Sequence, residues 1–233
     1  MRIAAVIPAY HEEAHIAVVV KRVKDCGCLE RIYVVDDGSR DRTAHLAAAA
    51  GAVVITQGVN MGVGAAIRSG FARARQDGFD IAVVMGGDNQ DDPDQMPRLL
   101  KPILDDGYDL VQGSRWLPGG DTHNIPLFRR FTTKLYAWII RICAGFPFTD
   151  GTNGFRAVRL SILDKINLAQ DWLNHYELEP YLLYKAVSLG FKVKEAAVTK
   201  SYFIKEGYTK MVPVLDWWRI LRPVIFLKLG IKK

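Results

Sequence analysis

Four carboxylates, Asp88, Asp91, Asp92 and Asp94, fall within seven residues, directly after the uncharged apolar run 81–85. Carboxylates crowded this closely repel one another unless a cation or hydrogen-bond donors compensate. Hard oxygen ligands of this kind suit Mg2+ or Mn2+ held jointly with phosphates. The same residues also read as a solvated acidic turn in which Asp91 or Asp92 caps a helix over 93–100, and the local sequence does not separate the two readings. A second acidic turn, Asp36-Asp37-Gly38-Ser39, ends another apolar run. Asp37 can accept hydrogen bonds from sugar hydroxyls or base N–H groups; alternatively the turn is an N-cap through Ser39 or Asp41. Asn60-Met61-Gly62-Val63-Gly64 is a Gly-rich approach to a helix N-terminus, where Gly62 lets backbone come close to a ligand, although the full dinucleotide or phosphate-loop pattern is missing.

The elements that must position these residues follow from periodicity. Continuous apolar runs at 3–7, 31–35, 53–56 and 81–85 predict buried strands. Helical spacing at 11–25, 41–50 and 65–77 places a helix between each pair, and a further helix and strand follow at 95–106 and 110–112. Strands and helices alternating with short turns predict an α/β chain with a mostly parallel, Rossmann-like sheet covered by helices. In such open sheets ligands bind beyond the carboxyl ends of the strands, so 8–13, 36–39 and 86–92 are expected to converge on one crevice. The second half, from 113, carries a long aromatic and arginine-rich helix over 127–143. No repeat, low-complexity run or linker divides the chain, which reads as one domain of 233 residues.

Apolar residues make up 49% of the chain and charged residues 24%, the balance of a globular protein with a real core. The net charge of +6 points to an anionic partner, and the bases concentrate at the end: from Lys200 on there are eight Lys or Arg against Glu206 and Asp216. Cys26 and Cys28 form C-x-C with no second pair to complete a metal site, and together with Cys143 they read as free thiols of a reducing cytoplasm. The first ten residues do not read as a signal peptide, and no run is long and apolar enough to span a bilayer, so any membrane contact is expected to be peripheral, on the cytoplasmic face.

Six segments in order, PAYHEE (8–13), VVDDGSRDRT (34–43), NMGVGAAIRSG (60–70), the Asp88 loop, GSR (113–115) and GTNGFRA (151–157), resemble glycosyltransferase family 2, with the GT-A fold. The likeness covers nearly the whole chain and is strongest to dolichyl-phosphate mannose synthases and related polyprenyl-phosphate glycosyltransferases. It implies that Pro8, Tyr10 and Glu12 line the nucleotide pocket and that Asp37 holds the base or ribose. Asp88 and Gln90 would coordinate Mg2+ or Mn2+ bridging the diphosphate. Arg115, Arg129 and Thr133 would meet the acceptor phosphate, and Lys210 stands at a phosphate-binding Lys. Two positions depart from the pattern: Gly86 replaces the first Asp of the usual Asp-x-Asp, and Ile204, beside Lys205, replaces an Arg.

The chemistry expected from these parts is direct attack on a nucleotide-sugar (GDP- or UDP-sugar), with inversion at the sugar. A divalent ion and Lys/Arg groups would stabilise the leaving diphosphate. A polyprenyl-phosphate acceptor is already ionised and needs no base; a hydroxyl acceptor does, and the resemblance makes Asp150, at the family's acidic position, the candidate, the alternative being a turn residue before Gly151. Gly86 also leaves room for a catalytically silent sugar-nucleotide binder. Nucleic acid is not an expected partner, since net charge alone favours it. Arg129 and Thr133, four apart, share a helix face, flanked by Phe131, Leu135, Trp138, Ile139 and Ile142. The tail from 212 mixes Trp217 and Trp218 with Arg219, Arg222 and Lys228, so it is expected to lie in a membrane interface with these bases at the headgroups and Pro223 bending or splitting its helix, the alternative being a helix packed on the core.

Overall fold

The structure, a computed structural model, describes residues 1–202, 211–212 and 214–232. Strands β1 (Ile3–Ala9), β2 (Arg31–Asp36), β3 (Val53–Thr56) and β4 (Ile81–Val84) alternate with helices α1 (Ile16–Asp25), α2 (Thr43–Ala49) and α3 (Val63–Gln76). Then come α4 (Met96–Asp105), β5 (Leu110–Ser114), β6 (Asp121–His123) and α5 (Leu127–Ala144). The chain ends with β7 (Arg156–Arg159), α6 (Leu178–Ser188), β8 (Val193–Ala197), β9 (Thr199–Ser201) and α7 (Leu215–Lys228). Seven strands form one sheet in the order β3-β2-β1-β4-β7-β5-β8, while β6 and β9 pair apart from it.

The sheet is parallel except at β7, which runs antiparallel between β4 and β5. Alternation along β1 assigns the two cores: Ala4 and Val6 face α3, α5 and α6, whereas Ala5 and Ile7 face α1, α2 and α4. Because β1 and β4 are covered on both faces, their sequences are continuous apolar runs rather than alternating ones. Burying a Val or Ile side chain fully contributes roughly 1.5–3 kcal/mol.

The tail differs from expectation. Helix α7 is continuous through Pro223, which is buried. Val224 is fully buried in the core beside α5 and α6. Arg222 donates to Glu177, which is 0% exposed, and Arg219 lies 2.9 Å from Asp216 and 3.7 Å from Glu177. Arg219 and Arg222 therefore point inward to a buried carboxylate instead of outward to lipid headgroups. An apolar inner face draws the helix onto the domain, and the two guanidinium groups compensate Glu177, whose burial unpaired would be costly. Among the described residues no helix is long and apolar enough to cross a membrane.

Candidate active site

The loops after β1, β2 and β4 meet at the carboxyl end of the sheet. The amide of Asp37 donates to the carbonyl of Ala9 (2.9 Å), and that of His11 to the hydroxyl of Ser39 (2.9 Å). Pro8 is the penultimate residue of β1, opposite Val35; Tyr10 and Glu12 follow it, and the Glu12 amide donates to the Thr43 hydroxyl (2.8 Å). Asp37 is buried, and its two oxygens accept from the amides of Met61 (2.7 Å) and Gly62 (2.9 Å). Burial raises its pKa, and these two amides oppose the rise. Asp37 thus fixes the Gly-rich segment, with lone pairs left for a ligand.

Gly62, at φ 101°, and Gly64 do come close to something, but it is the chain itself. A Cβ on Gly64 would sit 2.5 Å from the carbonyl oxygen of His175, and one on Gly62 would overlap the His175 ring. The amide of Ala65 donates to the carbonyl of Asn174 (2.9 Å). The start of α3 is capped by 173–175, so the glycines permit a helix–loop contact of this protein.

The carboxylate loop sorts its acids by partner. Asp92 caps the turn at 93–95 by accepting from the Asp94 amide, and it pairs with Arg22 at 2.7 Å. Asp91 is buried, lies 2.7 Å from the Lys200 Nζ, and accepts from the Gly86 amide (3.2 Å). It is spoken for, and does not stand in for the carboxylate missing at Gly86. Asp88 is half-buried and accepts from the Gln90 amide (3.2 Å); Gln90 is buried beside it. Among the described residues no three His, Cys, Asp or Glu side chains converge as a cage. Asp88 and the Gln90 amide oxygen are hard donors, and they fit a divalent ion whose remaining ligands come from a diphosphate.

Arg115 and Asp150 do not line an open pocket. Asp150 is 0% exposed and Arg115 3%. They form a two-point fork, Nε to Oδ2 at 2.6 Å and Nη2 to Oδ1 at 2.7 Å, and Arg115 also donates to Thr152 (2.7 Å) and to the Tyr202 hydroxyl. Burial would raise the Asp150 pKa, but the Arg115 charge and its hydrogen bonds outweigh this and hold the carboxyl below the usual range. A depressed, enclosed carboxylate is a poor proton acceptor. Expectation and structure part here: Asp150 is no accessible base, and Arg115 has its donors engaged within the fold.

Arg129 and Thr133 lie on one face of α5. The Arg129 guanidinium sits 5.3 Å from the centre of the Tyr202 ring, while buried Thr133 turns its hydroxyl to the Arg130 carbonyl (3.2 Å). Lys210, Ile204 and Lys205 lie outside the described residues.

Two features carry no local sequence signal. Lys200 and Tyr202, two apart in extended backbone, reach Asp91 and Arg129 and so join the carboxylate loop to α5. Tyr176, its pKa pushed to about 12 by burial and by the charges of Asp216 and Glu179, lies within electrostatic reach of Arg129 and Asp88. Outside this cleft, α5 exposes Leu127 (83%), Phe128, Phe131, Leu135, Trp138 (60%) and Ile142, interspersed with exposed Arg130, Lys134 and Arg141. The Phe128 ring stacks 5.3 Å from Trp217 of α7, which with Trp218 extends the patch.

The family model described as glycosyl transferase family 2 matches residues 4–166. Polyprenol monophosphomannose synthase of Mycolicibacterium smegmatis is 33% identical over 204 residues, 85% of this chain and 77% of that protein. Undecaprenyl-phosphate mannosyltransferase of Micrococcus luteus is 31% identical over 204 residues, 85% of this chain and 83% of that protein. Glucosyl-3-phosphoglycerate synthase from Mycobacterium tuberculosis, solved with Mn2+, uridine diphosphate and phosphoglyceric acid, matches with a TM-score of 0.74 at 20% identity, over 100% of this chain and 80% of that one, a likeness of fold. The Asp88 loop at the end of β4 thus belongs to a GT-A sheet, and the chain belongs to glycosyl transferase family 2 as a glycosyltransferase.

Proposed function

We propose that the protein transfers a sugar from a GDP- or UDP-sugar to a polyprenyl phosphate, with inversion, at the cytoplasmic surface of a membrane. The observation that carries this reading is the chain of contacts from the Asp88 loop to Arg129, through Asp91, Lys200 and Tyr202, with an exposed apolar and basic face on the helix that bears Arg129. Donor chemistry and lipid access meet there. The relatives named for polyprenol and undecaprenyl phosphate support the acceptor class, and the neighbour bound to uridine diphosphate with Mn2+ supports the donor class.

In this reading Pro8, Tyr10, Glu12 and Asp37 line the nucleotide pocket, and Gly62 shapes it. Asp88 and Gln90 hold Mg2+ or Mn2+, which when bound neutralises the leaving diphosphate. Arg129 draws the acceptor phosphate by a charge-assisted contact. That phosphate is ionised at neutral pH and attacks without a base, in keeping with the locked state of Asp150. Arg115 acts behind the site, holding the 150–152 turn and Tyr202 beneath Arg129. The apolar face of α5 lies in the lipid interface with Arg130, Lys134 and Arg141 at headgroup level. The test is incubation with a panel of labelled GDP- and UDP-sugars and polyprenyl phosphate: label in the lipid phase supports the reading, and donor hydrolysis with none there opposes it.

A further inference from the structure

The carboxylate loop holds a cation of its own. Lys200 is 9% exposed, yet it lies on β9, far in sequence from the acids it meets. Asp91 and Lys200 pair as an isolated antiparallel bridge, the Ser201 amide donates to the Gln90 carbonyl (2.8 Å), and the Lys200 Nζ lies 2.7 Å from Asp91. Asp91 in turn accepts from the amide of Gly86. Gly86 has no side chain to offer, and a Cβ there would stand 2.8 Å from Asp88 Oδ1. Lys200, Asp91, Gly86 and Asp88 therefore form one contiguous group. Burial disfavours the Lys200 charge, but Asp91 and then Asp88 outweigh burial and keep it protonated.

The group carries part of its own charge compensation. Two carboxylates and one ammonium leave a single negative charge, carried in effect by Asp88. Asp91 accepts one of the three N–H donors of Lys200. An ammonium is a compact point charge whose donors can rotate onto phosphate oxygens.

We propose that Lys200 is a protein-borne cation of the donor site: its ammonium binds the nucleotide diphosphate beside the divalent ion held by Asp88 and Gln90, so that nucleotide binding persists when the ion is withdrawn. This rests on the reading that the loop takes a nucleotide sugar. It assigns Lys200 a role that offsets the carboxylate absent at Gly86: the site has one fewer anionic ligand for a metal and one fixed positive charge in its place.

The experiment titrates the full chain with UDP and with GDP by calorimetry, in Mn2+ and in EDTA. Lys200→Met alone would strand the buried Asp91, so the informative variant is Asp91→Asn with Lys200→Met. It removes the ion pair, can still accept from the Gly86 amide, and keeps the net charge of the group. Any lost affinity then reports the ammonium itself. Wild type is expected to weaken by less than about tenfold on moving to EDTA, and the double variant to lose at least about tenfold more there while staying within about threefold of wild type in Mn2+. Lys200→Arg should recover most of the loss, and circular dichroism should show the double variant folded. A double variant that binds as wild type does in EDTA, or a wild type that loses all nucleotide in EDTA but binds in Mn2+, overturns the proposal and reduces Lys200 to a tether of β9. Failure of both nucleotides to bind even in Mn2+ removes the donor site itself, and this inference with it.

Discussion

Two buried acid–base pairs sit near the cleft and are built differently. Arg115 and Asp150 meet through a planar two-point fork, and two of the three remaining guanidinium donors reach Thr152 and Tyr202. Lys200 and Asp91 meet at a single point, beside half-buried Asp88. The first pair is closed and serves the fold; the second is the one proposed to meet the nucleotide. Burial and charge type alone do not separate these roles, since both pairs are nearly inaccessible. The number of donors already committed does. The assignments of Arg115 and Asp150 rested on the family resemblance, which does not count the donors a charged residue commits within the chain.

The largest effect expected from this contrast is on stability. Arg115→Met leaves Asp150 charged and unpaired in the interior and should cost about 3–5 kcal/mol. Arg115→Met with Asp150→Leu should recover most of it, as read by denaturant unfolding. The pH dependence has a definite sign. The folded pKa of Asp150 is depressed, so the pair's contribution is fully present above the unfolded value of about 4 and is lost as pH falls through the lower folded value. The paired variant should show a flatter acid limb than wild type. An equally steep limb places the acid sensitivity elsewhere.

Next in size is Asp88→Ala. It should cut turnover by at least about a hundredfold, some 2.7 kcal/mol of transition-state stabilisation, with an unchanged melt. A variant that turns over normally, or full wild-type activity in EDTA, contradicts the role given to Asp88 and Gln90. Smaller again is the helix face. Phe131→Asp and Trp138→Asp should each weaken binding to anionic liposomes by about tenfold, near 1.4 kcal/mol, without loss of fold, because both side chains are exposed. The smallest change is Lys134→Gln, worth about 1 kcal/mol at low salt and vanishing at high salt. Liposome sedimentation at two salt concentrations reads both.

The parallel half of the fold was legible because each of its strands is an apolar run ended by a turn, and the crevice followed from where the turns fall. Strand β7 was not: Arg156-Ala-Val-Arg159 is short and flanked by charge, and its place between β4 and β5 is decided by long-range pairing. The short strands β6 and β9 were missed for the same reason. Asp88 stood out within a local cluster of acids, Gln90 entered through the family resemblance, and the cap was open between Asp91 and Asp92 until the structure gave it to Asp92. Lys200 had no local signal, because its partner Asp91 is 109 residues away. The tail misled because Trp beside Arg is the pattern both of an interfacial helix and of a helix whose arginines compensate a buried Glu177, and the sequence around 215–228 does not name that glutamate. The His175-Tyr176-Glu177 segment carries no motif in the sequence, though it touches Gly62 on one side and receives Arg222 on the other.

The central claim is that an ionised lipid phosphate, with no base from Asp150, is the acceptor. The most direct measurement compares polyprenyl phosphate with the matching polyprenol under the same labelled nucleotide sugar, for wild type and Asp150→Asn. The account predicts lipid-soluble product from the phosphate alone, and transfer by Asp150→Asn in proportion to the fraction that remains folded. Comparable product from the alcohol, abolished in a folded Asp150→Asn protein, would contradict it.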